Sequence, residues 1–234
     1  MIFRQLFDQE TWTYTYLIGD EVSGEALLID SVDEKAERDA RLLQELGLDL
    51  KYLMETHVHA DHITGVSQLK ALYPKARSIV SESGGAPCAD ILTKEGDQFK
   101  LGEIEIQVLS TPGHTNGCLT YLVEDMAFTG DSLFIRGTGR TDFQQGDAGK
   151  MYDSITQKLF SLPAQTKVYP GHDYAGQSVS TISEEMLHNP RLAGKSREEY
   201  IQIMENLKLP HPRKLAESVP ANQRCGNRSE SLSV

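Results

Sequence analysis

The chain has 234 residues, 39% of them hydrophobic, and a formal net charge of −11. That length suits a single domain over 1–234 with a sizeable core, the acid excess argues against a nucleic-acid partner, and no stretch approaches the roughly 18 uncharged apolar residues of a membrane span. The opening "MIFRQLFDQE" has no signal-like apolar run, and three cysteines without CxxC spacing predict no disulfide framework and a reducing, cytoplasmic setting.

The first third reads as strands, "IFRQLF", "TWTYTYLIG" and "EALLID", separated by polar or Gly-containing turns. Ser31-Val32-Asp33-Glu34 has the spacing of a capping box, and Ala36, Ala40, Leu43 and Leu46 follow at helical spacing. "LKYLMET" reads as a buried strand, and Ile63, Val66, Leu69, Leu72 and Tyr73 mark a helix that ends before Pro74. The middle returns to strands: "SIVSE", "FKLG", "EIEIQVLST", "LTYLVE" and "MAFTG". A helix near 149–161, the strand "TKVYPG" and helices near 178–188 and 196–207 complete the pattern, the last opened by a second capping box at Ser196–Glu199. The Pro-rich tail, 210–234, has little periodicity and is expected to pack on the domain or against a second copy in a homodimer. This order suits a layered α/β (α+β) fold of two mixed sheets with helices outside.

The chemistry concentrates at "ETHVHADHITG", which holds three of the seven histidines. His57 and His59 are two apart, so in an extended segment both point to one side. Asp61 and His62 occupy the turn into the next helix. Three further apolar strands end in Gly plus a ligand-type residue: "VLSTPGHT" at His114, "MAFTGDS" at Asp131 and "KVYPGHD" at His172. Imidazole and carboxylate are ligands that first-row metals prefer. Seven such groups at strand-to-loop junctions predict a metal site. His188 and His211 lie apart from it and read as structural or solvent-facing.

"THVHADH" with "PGHT", "TGDS" and "PGHD" resembles the metallo-β-lactamase superfamily over nearly the whole chain, which implies an αββα sandwich with the metal at one edge. The longer stretches "PGHTNGCLTYL", "FTGDSLFIRGTGRTDFQQG", "YPGHDYAGQSVSTI", "NPRL" and "VPANQRCG" are similar to the persulfide dioxygenases, the branch beside glyoxalase II. The resemblance implies one Fe(II) per chain on His57, His114 and Asp131. His59, Asp61, His62 and His172 would surround the ligands and orient them. It also implies the reaction, oxidation of glutathione persulfide by O₂ to sulfite and glutathione. Two histidines and one carboxylate leave neighbouring positions on the iron for O₂ and the substrate sulfur.

The seven ligand-type residues alone leave a second reading open, a dinuclear zinc thiolester hydrolase like glyoxalase II. The expected absence of that enzyme's extended basic C-terminal region argues against it. A third reading, a non-catalytic metal-binding protein, is at odds with the intact ligand set. Arg140, between glycines and Asp142, is expected to grip a glutathione carboxylate with its planar fork, with an ion pair to Asp142 as the structural alternative. Tyr174 is a candidate substrate contact, Cys118 a small core residue, and Cys225 is assigned no role.

Overall fold

The computed structural model describes residues 1–210 and 214–228. Its strands form two six-stranded sheets. The N-terminal sheet runs β1 (Ile2–Asp8), β2 (Thr13–Gly19), β3 (Glu25–Ile29), β4 (Asp49–Met54), β5 (Arg77–Ser81) and β6 (Ile91–Thr93), neighbours in that order. Strands β1 to β3 are antiparallel, and β3 to β6 are parallel. The other sheet runs β7 (Gln98–Leu101), β8 (Ile104–Ser110), β9 (Leu119–Val123), β10 (Met126–Gly130), β11 (Lys167–Pro170) and β12 (Ser180–Thr181). There only the pairing of β10 with β11 is parallel.

Parallel neighbours need a crossover, and α1 (Ala36–Glu45) and α2 (Val66–Leu72) supply it between β3, β4 and β5. On the second sheet lie α3 (Ala148–Gln157), α4 (Ile182–His188) and α5 (Arg197–Glu205), and α6 (Leu215–Asn222) follows near the C-terminus. Period-two alternation assigns each strand residue to a layer. Tyr16, Ile18, Leu27 and Ile29 meet Val108, Tyr121 and Phe128 between the sheets. Their neighbours Leu17, Ala26 and Leu28 face Ala40, Leu43 and Leu69 of the helices, and Val168 meets Met151, Ile155 and Tyr200 on the far side. Central strands buried on both faces give the αββα sandwich. Each large side chain enclosed there contributes about 1.5–3 kcal/mol.

The capping box at Ser196 forms as expected, but the one at Ser31 does not. The chain instead enters α1 through a 3-10 turn, Asp33–Lys35, with no side-chain cap. Val32 there bridges Thr64 and Gly65 N–H donates to the Ser31 carbonyl, so this turn is held by the far end of the histidine segment. Two short strands, β6 and β12, were not expected; β12 and the loop before it take the start of the helix expected from 178. The tail holds α6, with Pro220 inside it. His211 lies outside the described residues, and His188 is exposed at the end of α4.

The cysteine expectation is also corrected. Cys88 and Cys225 form a disulfide with Cα atoms 5.9 Å apart, across a sequence separation of 137 that no local spacing reveals. Cys118 is the buried free thiol. A crosslink of this span restricts the unfolded chain, so Cys88→Ser is expected to lower stability by about 2–4 kcal/mol. Denaturant unfolding of both proteins, with an unchanged wild-type midpoint under reductant counting against the crosslink, checks it.

Candidate metal centre

Strands β8, β10 and β11 run in one direction, since β8 and β10 are each antiparallel to β9 and β11 is parallel to β10. Their C-terminal ends therefore open at one edge, which delivers His114, Asp131 and His172 to a common place. The segment after β4 joins them there. Close approach at this edge requires glycine, as two positions show. Gly130 has φ +50°, and a Cβ on it would lie 2.5 Å from Thr56 Oγ1; one on Gly171 would lie 2.7 Å from Asp131 Oδ1.

His57, His114 and Asp131 each bring one ligand atom within 4.8 Å of the other two, all three residues buried. Both imidazoles are preset by their outer nitrogens. The Arg140 carbonyl sits 2.7 Å from His114 Nδ1, and a carbonyl only accepts, so Nδ1 carries the proton and Nε2 is free. Nε2 faces Asp131 Oδ2 at 3.6 Å. At His57, Thr56 Oγ1 lies 3.0 Å from Nδ1 and spends its own proton on Asp30 Oδ2 at 2.8 Å. Thr56 Oγ1 thus accepts from Nδ1–H, and the His57 Nε2 lone pair is likewise unclaimed. Asp131 Oδ1 is buried without a hydrogen-bond partner among the described residues, an arrangement that costs energy unless a cation or donor occupies the space. Two imidazoles and one carboxylate aimed at a single point fit a first-row metal ion.

The remaining four expected residues split. His59 and His172 form a second potential metal group with Asp61, and His172 Nε2 lies 3.6 Å from both Asp61 Oδ2 and Asp131 Oδ1. His62 pairs through Nδ1 with Asp61 at 3.0 Å and stays outside these groups. His59 Nε2 faces two acids that the sequence did not single out, Asp30 at 3.1 Å and Glu55 at 3.4 Å. The electrostatics follow. Burial and the neighbouring imidazoles of His59 and His114 hold His57 well below the usual histidine range. Burial works against charge on His59 too, but Asp30 and Glu55 outweigh it and raise its pKa. Burial also pushes the Cys118 thiol up to about 12, which leaves it an unreactive core group.

A cleft of about 830 Å³ opens from Asp131 and His114 along Phe134, Ile135, Arg140, Tyr174, Arg191 and Leu209. Tyr174 is 64% exposed at its rim, its ring stacked on His172 and 6.2 Å from Trp12. The structure gives Arg140 a partner of its own. Its Nε and Nη2 close on Asp142 at 2.7 and 2.9 Å, and Nη1 donates to the Pro210 carbonyl. The expected fork for a substrate carboxylate is thus occupied, and what Arg140 contributes to the site directly is its backbone carbonyl. Arg136 is also engaged, with Glu184 and Glu185. Arg191 is the cation the sequence reading passed over. Half-buried in the cleft wall, it donates to the Thr138 carbonyl and has no carboxylate partner among the described residues. Burial pulls its pKa down with no acid to offset it. A single arginine in "NPRL" carries no local signature of such a placement.

The chain belongs to the metallo-β-lactamase superfamily, whose sequence profile matches residues 13–172. It is 51% identical to Persulfide dioxygenase ETHE1, mitochondrial, of Mus musculus, over 97% of this chain and 89% of that one. The crystal structure of ETHE1 from Myxococcus xanthus superposes with a TM-score of 0.95 at 54% identity, covering 97% of this chain and all of that one. These likenesses place the chain in the persulfide dioxygenase branch. A more distant superfamily structure, TTHA1623 in a di-iron-bound form, matches at a TM-score of 0.70 and 26% identity, over 81% of this chain and 100% of that one. Among the described residues no helix is long and apolar enough to cross a membrane.

Asp131 Oδ1 accepts no hydrogen bond among the described residues, and His114 and His172 stand 3.6 Å from the carboxylate, so Asp131→Ala is expected to change the stability of the metal-free fold little. Added metal should then no longer raise the thermal midpoint, which it does in any protein whose native state binds it. A midpoint in Asp131→Ala that still climbs with metal would remove this residue from the ligand set.

Proposed function

We propose that the chain oxidises glutathione persulfide with O₂, giving sulfite and glutathione, at one Fe(II) held by His57, His114 and Asp131. The observation that carries this reading is the convergence of two preset imidazoles and one unpartnered buried carboxylate, in a chain half identical to a persulfide dioxygenase. Iron, when bound, supplies adjacent open positions and the electrons that activate O₂. The terminal sulfur takes up two oxygens from O₂ and one from water, its bond to the inner sulfur breaks, and glutathione leaves as the thiol.

The protein groups bind, orient and exclude water. Arg140, through its carbonyl, and Thr56, through its hydroxyl, keep the Nδ1 protons of His114 and His57 away from the reacting side. His172, between Asp61 and Asp131, orients the Asp131 carboxylate. The apolar wall of Phe134, Ile135 and Leu209 shields the persulfide stem, and Tyr174 closes the rim. Arg191 takes a glutathione carboxylate, because it is the cleft cation without an acid of its own; Arg140 could do so only by giving up Asp142. A local cation is needed, since a net charge of −11 repels an anionic tripeptide at long range.

The dinuclear hydrolase reading keeps one supporting observation, the second group His59, Asp61 and His172. Protein purified without added metal is expected to hold close to one iron per chain, to consume O₂ with glutathione persulfide and to leave a lactoyl thiolester intact. Two zinc ions per chain with thiolester hydrolysis would overturn the dioxygenase reading. Arg191→Lys keeps the charge and loses the planar fork. It should lower kcat/KM for glutathione persulfide by about 1–3 kcal/mol, roughly five- to 150-fold, with iron content unchanged. A small persulfide lacking carboxylates should be oxidised equally by both proteins; equal damage to that substrate would make Arg191 structural.

A further inference from the structure

We propose that Asn222, near the C-terminus of the chain, is a positioning residue for the metal centre. It lies in "VPANQRCG", a stretch to which the reaction assigns no part. Its carboxamide is buried and fully used by the histidine segment. Nδ2 donates to the carbonyls of His59 at 2.9 Å and His62 at 2.8 Å, and Oδ1 accepts from the Thr64 N–H at 2.8 Å. One planar group with two donors and one acceptor thus fixes three backbone groups of a six-residue turn. It is Asn222 that satisfies those groups.

Other contacts hold this clamp in place. Gly226 packs so tightly that a Cβ on it would come 2.5 Å from the Thr64 carbonyl. Ser67 Oγ bonds Asn227 Oδ1 at 2.9 Å, and three residues beyond Asn222 the Cys88–Cys225 disulfide ties the segment to the loop after β5. On the opposite side Gln144 Nε2 donates to the Val58 carbonyl at 2.8 Å. The turn carrying His57, His59, Asp61 and His62 is therefore gripped between two loops, and α6 provides three of the bonds. Thr64 also hands its hydroxyl proton to Glu55, which faces His59. A shift of Thr64 would move that acid as well. No substitution at 222 touches a ligand directly, so its effect reaches the metal only through this turn.

The inference needs a metal at His57, His114 and Asp131, and so rests on that part of the proposed function, but not on iron or on the persulfide. Cobalt(II) is therefore a suitable probe, because its visible spectrum reports coordination without any turnover. Asn222→Ala strands two buried carbonyls and one N–H. It is expected to speed cobalt release to a chelator about tenfold, at a temperature well below its unfolding midpoint, and to alter the cobalt absorption bands. Asn222→Ser, which retains one donor and one acceptor, should fall between the two and serves if the alanine variant does not fold. Ile155→Ala, on the buried face of α3 in the core of the second sheet's helical layer, controls for general destabilisation and should release cobalt at the wild-type rate with an unchanged spectrum. Wild-type release rates and spectra in both Asn222 variants, or equal acceleration in Ile155→Ala, would overturn the inference. A wild-type protein that takes up no cobalt would instead defeat the metal-centre reading on which it rests.

Discussion

The site depends on one pair of hydrogen bonds, from Thr56 N–H and Thr56 Oγ1 to the two oxygens of Asp30 at 2.7 and 2.8 Å. Asp30 follows β3 with φ +53°, a conformation that Asp tolerates better than most residues. The bonds join the end of β3 to the end of β4, just where the parallel pairing of these strands stops. They also decide where the Thr56 hydroxyl proton goes, and so which nitrogen of His57 is left bare. The same Asp30 faces His59. A single carboxylate thereby sets the backbone exit from the sheet and the state of two histidines. Replacing it would alter the tautomer of one ring and the charge around the other, even with every ligand still present.

Asp30, Glu55, Asp61 and Asp131 gather on one side of the sandwich, three of them buried and Asp61 partly so. Unneutralised, such a group of acids would strain the fold, because each charge removed from water costs several kcal/mol and repels the others. Imidazoles interleave with them: His59 between Asp30 and Glu55, His172 between Asp61 and Asp131. The arrangement makes the edge of the protein a place where positive charge is wanted. The cleft beside it carries an apolar wall of Phe134, Ile135 and Leu209 together with Arg191. On the proposed reading, acid at the floor and arginine in the wall would sort the two ends of an anionic substrate: the sulfur toward a metal, the carboxylate toward the guanidinium.

Much of this was legible in the sequence for a physical reason. Ligands of an edge site sit where strands end, and a strand end has a local signature: an apolar run, then glycine, then a polar side chain. Gly130 before Asp131 and Gly171 before His172 are such cases, and both prove to be forced by close contacts. The layered fold was readable from alternation, and the Ser196 cap from its four-residue spacing. What stayed hidden depends on groups distant in the chain. Asn222 reaches the carbonyl of His59 across 163 residues, and Glu55 and Asp30 look like ordinary residues at strand ends. For Arg140 the sequence left two partners open, a substrate carboxylate and Asp142, and only the folded chain shows Asp142, two residues on, on its fork. Ser31 misled because its turn is bound to Thr64 and Gly65, which a four-residue pattern does not register.

The disulfide divides the proposed ligands by covalent connectivity. Cys88 and Cys225 close part of the chain into a ring that contains His114 and Asp131, along with His172, while His57 lies on the open N-terminal arm. A backbone break inside the ring leaves one molecule, its pieces still joined through sulfur. A break between His62 and Cys88 splits the ligand set at once, with one imidazole on a fragment that nothing but packing and hydrogen bonds retains. The two sheets meet along this same division, the N-terminal one mostly on the arm and the C-terminal one within the ring. The candidate metal centre thus lies on a seam between ring and arm, and an ion held there would stitch the two together.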